Sequence, residues 1–170
     1  MKRIDPSQKE TKELMLKGSQ PVVSLFRYPP DEFVGLNPSV RVYISESPDR
    51  RPADLLAAAR DFQKKLFPDF KVVEDVREIA LAGQQAATFA ASFTSKYAGG
   101  ESYPTLSRAW AVKRGTFMYV IGSSGPQDPP AELERDFKMI ISSFRFTNAS
   151  DQPGNRNSAS PPPGAKGIAE

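Results

Sequence analysis

The serines of GSSGP (residues 122–126) and the carboxylates of two short clusters are the residues whose type and spacing first suggest chemistry. Ser123 and Ser124 sit between glycines, the setting of a phosphate-cradling loop or a strained nucleophile turn. The segment nevertheless fits neither G-x-x-x-x-G-K-[ST] nor G-x-S-x-G, and the chain has no S-x-x-K pair. It contains no histidine, so no imidazole can take a serine proton, and every triad built on one is excluded. The absence of cysteine removes disulfides, thiolate nucleophiles and zinc–sulfur sites. Asp31-Glu32 and Glu74-Asp75-Glu78 are the carboxylate clusters, and neither has the D-x-[DN]-x-[DN]-G spacing of a calcium loop. A hydrolase working through paired carboxylates would need them across a cleft; the plainer reading is solvated charge. No catalytic residue, metal site or cofactor is assigned, and the chain is read as a non-enzyme.

Basic doublets occur at Arg50-Arg51, Lys64-Lys65 and Lys113-Arg114, and Tyr97, Tyr103, Trp110 and Tyr119 could stack nucleotide bases. Against this, 23 basic residues face 20 acidic ones, a net charge of only +3, and Trp110 and Tyr119 fall where cross-strand packing accounts for them. No nucleic-acid partner is expected. No run approaches the ~18 apolar residues of a membrane span. The opening MKRIDPSQKETKELMLKG lacks the apolar stretch of a signal peptide. Two readings stay open: the protein remains where it is made, or a targeting segment has been removed.

The elements that must position these residues follow from period and punctuation. VVSLFRYPP (22–30) reads as a strand stopped by two prolines. VRVYISE (40–46) alternates, with Val40, Val42 and Ile44 on one face and Arg41, Tyr43 and Ser45 on the other. Residues 47–69 predict a helix with Leu55, Ala59, Phe62 and Leu66 as its apolar stripe, ending at Pro68. Strands are expected at 70–81 and 84–96, with Ala87, Phe89, Ala91 and Phe93 sharing a face, and a hairpin at 105–113 and 116–122. Apolar residues on both faces of TFMYVIG imply a central strand covered on both sides. The segment 122–130 reads as a flexible loop. Asp128 then suits an N-cap and Pro129 a first helical position, and Leu133, Phe137, Ile140, Ile141 and Phe144 form a stripe that closes the sheet. Leu14-Met15-Leu16 could be an edge strand. Beyond Thr147 little is apolar, so residues 148–170 are expected to be disordered.

FRYPPDEF after the first strand, the hairpin RAWAVKRGTFMYVIGSS and the closing FKMIISSFRF together resemble the PsbP-like family. That group includes the extrinsic PsbP protein of photosystem II, bacterial DcrB-type envelope proteins and a Ran-binding factor of the same fold. The resemblance covers roughly 18–147, its most specific piece being the helix ending Ile140-x-x-Ser143-Phe144-x-Phe146. It implies an α+β fold, a three-layer α/β/α sandwich around an antiparallel sheet, that works by protein contact without catalysis and is exported in many bacterial members. Without histidine, an imidazole-based metal site does not carry over.

The expected organisation is thus a polar segment at 1–17, one domain at 18–147 and a tail at 148–170. KYAGGESYP (96–104) places two tyrosines around a Gly-Gly tip, and a meander brings this loop to the same end of the sheet as 122–130. Tyr97, Gly99, Gly100, Tyr103, Ser123, Ser124 and Gln127 are the candidate contact surface for a protein partner. The chain itself is expected to be monomeric and extracytoplasmic if a targeting segment was trimmed, otherwise cytoplasmic. A small apolar-ligand or lipid carrier, with the ligand between the sheet and a helix, and a carboxylate- or Ser/Lys-dependent hydrolase are the alternatives.

Overall fold

The computed structural model describes residues 20–29, 32–33, 35–96 and 100–147. Expectations for Leu14–Leu16, Asp31, Tyr97, Gly99 and 148–170 lie outside the described residues. Six strands, β1 (Val23–Phe26), β2 (Ser39–Glu46), β3 (Lys71–Leu81), β4 (Gln84–Lys96), β5 (Ser102–Arg114) and β6 (Phe117–Pro126), form one antiparallel sheet in the order β1-β2-β6-β5-β4-β3. Helix α1 (Pro52–Leu66) covers one face and α2 (Ala131–Ser143) the other, which is the three-layer sandwich.

Side-chain alternation divides the core in two. On one face Ala87, Phe89 and Ala91 of β4, Ala111 of β5 and Met118 of β6 pack under Leu56 of α1. On the other, Val40 and Ile121 meet Leu133 and Phe137 of α2, with Trp110, Ile140, Ile141 and Phe144 around them. Strand β6 is central, and Met118 and Ile121 are buried on its opposite faces. Two hairpins with two-residue turns tie β3 to β4 and β5 to β6. Ala82 (φ 51°) and Gly83 (φ 72°) turn the first, and Gly115 (φ 61°) opens the second.

Three expectations need correction. α1 starts at Pro52 rather than near 47, and its inward line runs through Pro52, Leu56 and Gln63 to Phe67, while Leu66 stands exposed. α2 starts at Ala131 with Pro130 as N-cap, so Asp128 caps nothing. GSSGP is not a loop: it belongs to β6, with Gly122, Ser123 and Ser124 paired to both β2 and β5 and Gly125 and Pro126 to β5. The small residues there serve packing. A Cβ on Gly125 would lie 3.3 Å from Leu133 Cδ2 and 3.6 Å from Phe137, so glycine lets α2 approach the sheet. Arg108 of β5 then reaches Glu134 at 2.8 Å, and Arg27 after β1 pairs with Asp136 and Glu132, tying α2 at two points.

Candidate binding surfaces

The two edges of the sheet differ in kind. β3 carries Lys71, Glu74, Asp75, Arg77 and Glu78, and its pairing with β4 is broken by irregularities between Val72 and Arg77. Charge and bulges are the usual protection of an edge against further pairing. β1 has none of this. It is exposed throughout, and Val22, Val23, Leu25 and Phe26 keep 40–57% of their surface. Arg27 N donates to Pro38 O at 2.9 Å, so by the alternation of an antiparallel ladder Ser24 and Phe26 turn their N–H and C=O outward. Beside this edge lie two apolar grooves. One, about 350 Å³, runs between β1 and α2 past Leu25, Val40, Met139 and Ile140. The other, about 480 Å³, is lined by Val23, Val42, Ile44 and Phe144.

A third feature lies on the α1 face. α1 stands over β3, β4 and β5 and stops short of β2. The connection from β1 to β2 folds back instead, closed by Asn37, whose Nδ2 donates to Tyr28 O at 2.8 Å while its Oδ1 accepts from Tyr28 N at 3.3 Å. Between that connection and the C-terminal turn of α1 is a cavity of about 820 Å³. Its floor is a row of serines in register across three strands, Ser39 opposite Ser124 and Ser124 opposite Ser107, followed by Arg41 opposite Gly122. Its walls are Phe33 and Leu36 on one side and Gln63 and Phe67 on the other. Phe67 is fixed by stacking on Phe93, ring centroids 4.0 Å apart.

The residues singled out from the sequence fall around this cavity unequally. Ser124 is in its floor, whereas the Ser123 side chain points to the opposite face and is 3% exposed. Tyr103 is half-buried in β5, beside Gly35, and its hydroxyl donates to Glu101 at 3.0 Å. Gln127 N donates to Pro104 O at 3.0 Å, so the ends of β5 and β6 do meet as the meander required. Gly100 turns at φ 86° nearby. Sequence reasoning missed Ser39, Ser107, Arg41 and Gln63 as a group. Their signal was a polar residue at an inward position of each element in turn.

Carboxylates are engaged elsewhere. Hydrogen bonds from the Thr94 hydroxyl and N–H hold Asp69 below the usual aspartate range. The Val76 N–H and then the Arg60 guanidinium do the same for Asp75, and Arg51 for Asp54. Among the described residues no three acidic groups converge as metal ligands, and no helix is long and apolar enough to cross a membrane.

No family model and no curated protein matches the chain. Solved structures do. The Pseudomonas aeruginosa protein of unknown function PA94 is 15% identical, with 76% of this chain and 86% of that one covered and a TM-score of 0.57. LpqN, involved in cell envelope biogenesis of Mycobacterium tuberculosis, is 19% identical, with coverage of 74% and 65% and a TM-score of 0.46. The cyanobacterial PsbP (CyanoP) of Synechocystis is 13% identical, with coverage of 75% and 84% and a TM-score of 0.46. At such identities the likeness concerns the fold, an α+β sandwich around a six-stranded antiparallel sheet.

Proposed function

We propose that this chain is a non-catalytic binding module of the PsbP-like type, and that it captures an extended apolar segment of a partner protein along β1. The observation that carries this reading is the contrast between the edges. β3 is charged and bulged, while β1 offers outward backbone groups at Ser24 and Phe26 flanked by Val23 and Leu25. An added strand gains main-chain hydrogen bonds from such an edge, and the flanking grooves accept alternate side chains of the incoming segment. The end of the sheet bearing Tyr103 and Gln127 would extend the contact. The family resemblance read from the sequence favours an extracytoplasmic setting, which fractionation of the native host can check.

The test is hydrogen exchange on the full chain with and without apolar peptides selected against it. Ser24 and Phe26 amides should exchange freely alone and become protected by a selected peptide, and Leu25→Lys should abolish the protection. Amides already protected at every dilution would mean that another segment of the chain covers β1, and would overturn the proposal. So would turnover of an ester, glycoside or phosphate substrate that a single serine or carboxylate substitution removes.

A further inference from the structure

From the cavity on the α1 face, independently of the β1 edge, we infer a second binding site, for a small phosphorylated polyol. The serine row is unusual for the middle of a sheet. Ser39, Ser124 and Ser107 stand in register on β2, β6 and β5, and none of their hydroxyls has a hydrogen-bond partner among the described residues. Serine in such a place forgoes the packing that valine would give, and Ser107 and Ser124 are half-buried at the cavity floor, where their hydroxyls can meet a ligand. Three convergent hydroxyls can donate to the oxygens of one tetrahedral anion or accept from a polyol.

The charges around the row have one sign. Arg41, one position along β2 on the same face, and Lys96, at the end of β4, line the cavity, and no described aspartate or glutamate does. Arg41 makes a cation–π contact with Phe26, 5.7 Å from the ring centroid, and pairs with no carboxylate among the described residues. A guanidinium that no described carboxylate neutralises, beside hydroxyls without a described partner, is suited to phosphate. Opposite Arg41 is Gly122, so nothing rises from the floor between Arg41 and the serines.

The remaining wall specifies a hydrogen-bond donor on the ligand. Gln63 Oε1 is shut off from water and accepts no hydrogen bond, although the residue lines the cavity. An acceptor left in that state favours any rearrangement that brings it a donor, and a polyol hydroxyl supplies one. The chemistry is therefore an anion with its own hydroxyls: phosphate towards Arg41 and the serines, hydroxyls towards Gln63. A free polyol phosphate and the headgroup of an anionic lipid share it, and Phe33, Leu36 and Phe67 at the walls could receive the first part of an acyl chain.

The experiment is NMR titration of the full chain with myo-inositol 1-phosphate, inorganic phosphate and myo-inositol, and flotation with phosphatidylglycerol or phosphatidylcholine vesicles. Saturable shifts at Ser39, Ser107, Ser124 and the Gln63 side-chain amide are expected with inositol phosphate, more weakly with either half alone. Arg41→Gln should weaken binding by at least about tenfold, and Ser124→Val should do the same. Gln63→Leu should weaken inositol phosphate but leave inorganic phosphate unchanged, and Lys138→Gln on α2 should change nothing. Binding only to phosphatidylglycerol vesicles, lost with Arg41→Gln, would identify the lipid source, and binding of the soluble probe the free one. The proposal is overturned if no probe binds, if phosphatidylcholine binds equally, or if Arg41→Gln is without effect. Arg41 is exposed, so that variant decides the matter even where Ser124→Val fails to fold.

Discussion

If α2 is part of the core, truncating Phe137 to alanine must unfold the protein more easily, by an amount that its surroundings bound. Phe137 is 8% exposed and touches the cluster of Val40, Ile121 and Leu133. Phe→Ala changes in cores cost about 3–5 kcal/mol, with the spread set by how far the site can collapse. Here two features point to the low end. Grooves reach Phe137 from both sides of α2, so part of the space left behind is open to water rather than an empty cavity. Gly125 lies directly beneath, 3.6 Å from the ring measured from an added Cβ, so the helix can settle. About 3 kcal/mol is expected, on the order of a 10 °C drop in melting temperature for a domain this size. Met139, two residues on and 63% exposed, is the internal control, and Met139→Ala should stay within about 0.5 kcal/mol. Urea denaturation with an unchanged slope measures both. If Phe137→Ala cost under about 1 kcal/mol, or Met139→Ala cost as much as Phe137→Ala, α2 would not be closing the core and the argument from its stripe would fail.

Gly125→Ala should destabilise by about 1–2 kcal/mol through the 3.3 Å approach to Leu133. In a Phe137→Ala background the cost should shrink, which a double-mutant cycle reads directly. Ala82→Gly should raise stability by about 1 kcal/mol, because alanine at φ 51° is held in the left-handed region; an unchanged urea midpoint would contradict it. Asp69 titrates low in the folded state because Thr94 donates to it. Its contribution is therefore present above the unfolded aspartate pKa and lost as pH falls through the lower folded value. Thermal melts across the acid range should show a shallower loss for Asp69→Asn than for the parent, and identical slopes would remove the linkage. Tyr97→Ala with Tyr103→Ala should leave the melting temperature within a few degrees yet weaken capture of a selected peptide, since Tyr103 is only half-buried; a cooperative loss of folding would assign Tyr103 to structure instead.

Much of the fold was legible because alternation is a direct record of burial. In β4 the face of Ala87, Phe89, Ala91 and Phe93 and the limits at Gln84 and Lys96 stand as read, although Ala86, Thr88, Ala90 and Ser92 on the other face are buried as well. The α2 stripe was equally clear, since every residue in it meets the sheet. What misled was polar residues in inward places. Gln63 interrupts the inward line of α1, and the apolar alternative through Leu55, Phe62 and Leu66 looked more regular although Leu66 points to water. GSSGP is made of turn-forming residues, yet Gly122, Ser123 and Ser124 are paired to both β2 and β5 and Gly125 and Pro126 to β5, and small side chains there leave room for α2 above one face and the cavity above the other. Local propensity favours a loop, and tertiary pairing overrides it. The serine row was illegible for a further reason: its members come from three strands, and only register, a long-range property, aligns them.

The unequal edges also govern how far growth can proceed. A sheet with two open sides adds neighbours without end, and each addition exposes the same template again. In this molecule β3 carries charge and irregular pairing and β1 carries neither, so on the proposed reading only the side at β1 accepts a strand. On that reading every addition is terminal. Two copies meeting at β1 would form one continuous twelve-stranded layer whose outer limits are both β3, and a third copy would find nowhere to join. On that reading a strand-mediated complex holds one guest per chain, and a four-residue apolar border is carried without the filament it would otherwise seed.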